Sequence, residues 1–310
     1  MTIPPLAETA SANEILYLTG RPKLKSFLRF VEKQALNRQS EGTLLEEWLA
    51  ARDLLRDLEK EEAGLADNHK IVELDEEYEP LLTEFLKDPI QRDSFNEVPT
   101  EIALVELDKL VVYQKHIDLT FAANLERELG AAPSKDRVFR TCLPYDHPRP
   151  PVKWSRVDSK TYVFVSPSND LRFLGALPLE GPQLKELPSW EGDVVNCLGI
   201  AIGFSSNFMN AIYAENRLIL HNGSHRAYTL RKMGFTHAPC IVQHVPSRDA
   251  LEIVAPQDVR ENADAYLKHP RPPMLRDYFN PRLHKVLQNR RTLQQVTVRF
   301  DVTELDLPAF

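Results

Sequence analysis

The chain has 310 residues, 43% of them hydrophobic and 27% charged, which is long enough and apolar enough for one large domain or two modest ones and excludes global disorder. A formal net charge of −7 excludes a surface that is basic all over, though not a local basic patch. Three cysteines, Cys142, Cys197 and Cys240, form no C-x-x-C pair, which argues against a disulfide scaffold or a thiolate zinc site and for a reduced compartment.

The first twenty residues have no basic stretch followed by a long apolar run, and no window approaches twenty apolar residues. Neither a secretory signal nor a membrane span is expected, and the cytoplasm is the expected location.

Residues 1–97 read as a mostly helical region. Leu24, Phe27, Leu28, Val31 and Ala35 recur at helical spacing. A second helix follows, with Leu44, Leu45, Trp48, Leu55 and Leu58 as its stripe, Thr43 and Glu46 as a capping box, and Gly64 as its stop. "EEYEPLLTEFLKDP" gives a third. The acidic excess from Glu41 to Asp88 reads as a solvated face, or as a surface for a protein partner.

At about Val98 the pattern turns β-branched. "EIALVELDKLVVYQ" reads as a strand and its exit, and "IDLTFAANLERELG" as a helix stopped by Gly130. A Pro-rich excursion leads to the strand "TYVFVS", a mixed strand and loop over 170–193, and the strand "VVNCLGIAIGF". "MNAIYAENRLILHN" reads as a short segment, a turn and a strand, followed by a helix from Ser224 to Met233, Gly234, and the strand "APCIVQHV". Beyond Pro246 the chain becomes basic. "NPRLHKVLQNRRTLQQ" reads as a helix with Asn280 as N-cap and Pro281 at its first position, and "QQVTVRFDV" as a closing strand. "HPRPP" occurs at 147–151 and again at 269–273. Both copies read as extended surface connectors, or as arms flanking one site.

The chemistry concentrates in Asn222-Gly223-Ser224-His225-Arg226, where a strand runs into the mouth of a helix. A helix N-terminus offers free N–H groups and a partial positive charge. Gly223 lets a ligand approach the backbone, and Ser224 caps the helix or donates to an oxygen. His225 and Arg226 stand where a helix prefers acids, a choice that costs stability unless an anion cancels it. Phosphate binding through these five residues is the sharp reading. A capped, solvated turn is the plain one.

"LILHNGSHRAYTLRKMGFTHAPCIVQ" resembles the core motif of the ParB/sulfiredoxin superfamily through Gly223, His225, Arg226, Gly234 and Pro239. The likeness extends over about Val98 to Val245. It implies a ParB/sulfiredoxin-like mixed-sheet domain over 98–248, which with the helical N-terminal region 1–97 and a short basic α/β C-terminal extension over 249–310 makes an α+β fold. It implies nucleotide phosphates, or a backbone phosphate of nucleic acid, at the Gly-x-His-Arg turn. Ser224 stands where sulfiredoxins have cysteine, which removes thiol attack on an oxidised cysteine. No adjacent helix-turn-helix of the chromosome-partitioning kind is evident.

Three functional readings follow. The first is a nucleotide-binding protein, hydrolytic or phosphoryl-transferring, with His225 and Arg226 stabilising charge and Glu106 as candidate base; Asp108 and Asp118 are the other carboxylates within reach of that role. Its ligand would be a nucleoside triphosphate or diphosphate with Mg²⁺, and no metal held by the protein itself is expected. The second is a nucleic-acid-binding protein or ParB-like nuclease in which the same turn grips a backbone phosphate, with Arg282, Lys285, Arg290 and Arg291 on the basic helix as further phosphate contacts. The third is a non-catalytic interaction module.

Overall fold

The computed structural model describes residues 12–37, 39–147, 149–168, 170–179, 194–290 and 292–308. The chain divides into two compact units, Met1–Asp146 with Asn207–Arg291, and His147–Ser206 with Thr292–Phe310. The division therefore cuts across the expected segments 1–97, 98–248 and 249–310. The α+β class itself holds, with helices and mixed sheets in one chain.

The first unit is built on a six-stranded sheet of order β2-β3-β12-β10-β11-β4. These strands are β2 (Ile71–Val72), β3 (Thr100–Glu106), β4 (Val111–Val112), β10 (Asn210–Ala214), β11 (Arg217–Asn222) and β12 (His237–His244). Strand β12 is buried from Ala238 to Gln243, as a central strand covered on both faces must be. It runs antiparallel to β3 and parallel to β10. Strands β10 and β11 join through Glu215 and Asn216, both with positive φ, the pair of left-handed residues a type I′ hairpin turn requires.

A second sheet, of order β13-β1-β5, joins β1 (Asn13–Leu18), β5 (His116–Asp118) and β13 (His284–Asn289). It corrects two expectations. The N-terminal region is not only helical, since β1 is its central strand. Residues 281–290 are not a helix: Asn280 follows the 3-10 turn Leu275–Phe279, and its Oδ1 accepts from the Arg282 N–H. The chain then extends as β13, paired from Asn289 to His284 against β1. Leu287 enters the cluster of Tyr17, Phe27, Val31 and Trp48, a partnership between residues far apart in sequence that no local periodicity records.

Helices α1 (Leu24–Gln34) and α2 (Glu41–Glu61) bury Phe27 and Val31, and Leu44, Trp48, Ala51 and Leu55 respectively. Leu45 is exposed. The α2 cap is Ser40, not Thr43: its hydroxyl accepts from the Thr43 N–H. Helices α3 (Glu79–Phe85) and α4 (Pro89–Ser94) follow, then α5 (Leu119–Leu129), ended by Gly130 at φ +76°. Helix α6 (Lys135–Cys142), inside the expected Pro-rich excursion, buries Val138, Phe139 and Cys142. Helix α7 (Ser224–Lys232) connects β11 to β12, and α8 (Arg248–Val254), α9 (Gln257–Glu261) and α10 (Ala263–Leu267) follow.

The second unit contains a three-stranded sheet of order β14-β7-β6 and a two-stranded ribbon. The sheet comprises β6 (Lys153–Asp158), β7 (Thr161–Ser166) and β14 (Gln294–Arg299), and the ribbon β8 (Arg172–Leu179) and β9 (Cys197–Gly203). Residues 180–193 of the expected mixed segment lie outside the described residues. No described helix is long and apolar enough to cross a membrane.

Candidate functional site at the mouth of helix α7

Strand β11 delivers the turn. Asn222 closes the strand opposite Asn210, and its Oδ1 accepts from the Gly223 N–H at 2.8 Å. Gly223 is the residue before the helix, with φ +95°. A Cβ there would lie 2.9 Å from Cγ of Met209, so both the backbone angle and the packing beneath call for glycine. Ser224 is thus the first residue inside α7, not its cap. No side chain caps this helix, and its first turn carries no acid. The N–H groups of such a first turn are left to outside acceptors.

The two expected cations do not both face that mouth. His225 is half-buried, edge-on to Phe121 at 5.3 Å between ring centroids. Desolvation, and then the neighbouring His116, pull its pKa down to about 4 against the opposing pull of Asp118. It is neutral at pH 7 and offers a hydrogen bond rather than a charge. Arg226 is buried. Its Nη1 donates to the carbonyls of Asn207 at 2.6 Å, Cys142 at 3.1 Å and Thr141 at 3.4 Å. Thr141 and Cys142 end α6, where carbonyls lack intrahelical partners and a cation is favoured. Burial lowers the Arg226 pKa below the ordinary arginine value. Its Nη1 therefore holds α6 to the segment before β10 instead of projecting into solvent.

The carboxylates sort clearly. Glu106 pairs with Lys109 at 2.9 Å and sits opposite His237. The Asn222 end of the sheet lies four rungs away, along Asn210, Ile241 and Ile102. Asp108 pairs with Arg231 in the last turn of α7. Both acids thus stand at the C-terminal end of a helix roughly 12 Å long at 1.5 Å per residue, and Glu106 is not brought to the turn. Asp118 is the carboxylate whose charge is felt at His225. Its Oδ1 caps α5 at the Phe121 N–H, and its Oδ2 accepts from Asn13 Nδ2. The first turns of α5 and α7 therefore meet through Phe121 and His225.

The candidate nucleic-acid residues lose their shared helix. Arg282 and Arg290 are exposed. Lys285, on β13, is held by both Glu47 oxygens at 2.6 and 2.8 Å. Arg291 lies outside the described residues. Among the described residues, no group of three or more His, Cys, Asp or Glu is arranged to hold a metal ion.

Sequence reasoning missed Arg271, inside the second HPRPP copy, which is not a surface connector. It is 1% exposed, bidentate to Asp277 at 2.5 and 2.9 Å, and bonded through Nε to Glu62 at 2.9 Å. The only local signal was an arginine between two prolines.

Compared with family models, curated proteins and solved structures, the chain matches none.

Proposed function

We propose that the protein binds the phosphate groups of a nucleotide at Gly223–Arg226, in the manner the resemblance to ParB/sulfiredoxin-like domains implies. The observation that carries this reading is the uncapped start of α7, where Ser224 is 4% exposed. It is entered through a left-handed glycine, lacks a side-chain cap, has no acid in its first turn, and carries the Ser224 hydroxyl at its first position. Anions favour such a place through free N–H groups and the helix dipole.

The roles differ from those the sequence alone suggested. Phosphate oxygens would meet the first-turn N–H groups and the Ser224 hydroxyl. His225, neutral, would contribute a hydrogen bond, and Arg226 would position the turn by tying it to α6. Any hydrolytic or phosphoryl-transfer step would take its base from Asp118 rather than from Glu106. Arg282, Lys285 and Arg290 do not share a helix, so no observation favours a nucleic-acid reading of the turn over this one.

The test is thermal stabilisation by nucleoside triphosphates and diphosphates with Mg²⁺. A ligand at a hundred times its Kd adds about 2.7 kcal/mol, which for a chain of this length is a shift of a few degrees in Tm. Ser224→Ala keeps the glycine entry to the helix and removes one hydrogen bond to charge, which should weaken binding by about tenfold or more. The reading fails if no nucleotide shifts Tm, or if Ser224→Ala responds like the parent protein.

A further inference from the structure

A second site lies at the other end of α7. A cavity of about 410 Å³ is lined by Leu58, Arg231, Arg276, Phe279, Asn280 and Pro281, with Glu62, Arg271 and Asp277 completing its wall. That volume falls within the range of small-molecule sites. We propose that it binds a small organic anion, a carboxylate or phosphoryl group on an apolar ring-bearing body. This inference does not depend on the phosphate turn.

The hydrogen-bond inventory of the wall points to an anion. Both oxygens of Asp277 are taken by Arg271, and one of them also accepts from the Met274 N–H. Glu62 accepts from Arg271 at Oε2 and pairs through Oε1 with Arg276 at 3.4 Å. The acids of the wall are therefore spoken for. The exposed arginines are not: Arg231 gives Nε and Nη2 to Asp108, which leaves Nη1 without an acceptor among the described residues. Among the described residues Arg276 has only the long contact to Glu62, so its Nε and Nη1 are similarly unassigned. The side chains of Arg231 and Arg276 are 37% and 40% exposed. A cavity with spare guanidinium donors and satisfied carboxylates selects a ligand that brings acceptors and negative charge.

The apolar part of the wall sets the body of the ligand. Phe279 has Tyr228 stacked at 4.8 Å and the Arg231 guanidinium 4.3 Å from its ring centre. This ladder holds the arginine in place without using its Nη1. Leu58 and Pro281 supply the remaining apolar surface. Arginine prefers this combination of a stacking plane and a carboxylate- or phosphate-matching edge.

Calorimetric titration of the full chain with phenyl phosphate, benzoate, inorganic phosphate and benzyl alcohol tests the assignment. Phenyl phosphate and benzoate should both bind, and the tighter of the two identifies the anionic head. Inorganic phosphate should be about tenfold weaker for want of the ring, and benzyl alcohol should not bind. Arg276→Gln should weaken the aromatic anion by about tenfold. Asn280→Asp is the second variant: it keeps the Oδ1 that accepts from Arg282 and adds a negative charge to the wall, so it should weaken binding with Tm nearly unchanged. Ser224→Ala should leave the binding of benzoate intact. Equal affinity for benzyl alcohol and benzoate would overturn the proposal, and so would equal affinity for inorganic and phenyl phosphate. Two further results would do the same: indifference to both cavity variants, or loss of benzoate binding in Ser224→Ala, which would move it to the turn.

Discussion

His69 is a buried imidazole that works in the neutral form. Its Nε2 accepts from the Glu106 N–H at 3.1 Å, and burial holds its pKa at about 4, against about 6.5 in an unfolded chain. At pH 7 both states are neutral and the group contributes no pH dependence. Below pH 6.5 the unfolded chain takes up a proton that the folded one refuses, so stability falls between about pH 6.5 and pH 4 and then levels. A shift of that size amounts to on the order of 3 kcal/mol for a site as buried as this one. His225 is displaced in the same direction and adds to the same window. His69→Gln keeps an acceptor for Glu106 and removes one titration. Urea unfolding at several pH values should therefore give a shallower acid slope for the variant; parallel slopes would mean that His69 is not the group titrating. The same desolvation explains why His225 reads as a cation in sequence and behaves as a neutral group at the turn.

At the scale of elements, β13 shows what decides a secondary structure against its local pattern. Leu287 is 6% exposed and Val286 is 48% exposed, the alternation of a strand with one face on a core. Leu287→Ala should cost about 2–5 kcal/mol, and Val286→Ala should stay within about 0.5 kcal/mol. Similar losses at both positions would contradict the strand. Chemical denaturation of the two variants measures the difference. The sequence carried β11, α7 and β12 well, because a polar turn with glycine, a helix closed by Gly234 and an apolar strand are all local signals. It also carried β7 and β14. It did not carry β1 or β13, whose pairing joins residues more than 260 apart. Nor did it carry α6: Ser134 is a proper cap for the Val138, Phe139 and Cys142 stripe, but the prolines on either side suggested an irregular segment. The candidate site divides in the same way. Its backbone was legible at Gly223, whereas the destination of the Arg226 guanidinium was not, since the carbonyls it meets belong to α6 and to Asn207.

At the scale of the whole molecule, the second unit is an excursion of the chain together with its C-terminal end. The first unit is left at Asp146 and resumed at Asn207. The resumption point is fixed within the first unit itself. The Met209 N–H donates to the Cys142 carbonyl at 2.8 Å, and Arg226 Nη1 bonds the carbonyls of Cys142 and Asn207 together. Cys142, four residues before the exit, is thus joined to Asn207 and Met209 at the re-entry by bonds that do not involve residues 147–206. Closing such a gap needs only a short connection, and the entropy of closing a loop falls as the loop shortens. A chain in which residues 147–206 are replaced by roughly four Gly/Ser residues, ending at Arg290, should fold cooperatively. Its core would keep the six-stranded sheet, α7, the Arg226 contacts, and the Arg271 network with Asp277 and Glu62. The expected result is a single sigmoidal thermal transition with a helical far-ultraviolet signal. A broad, non-cooperative melt would mean that the first unit depends on the second for its stability, and that the contacts around Cys142, Asn207 and Arg226 do not suffice to close it.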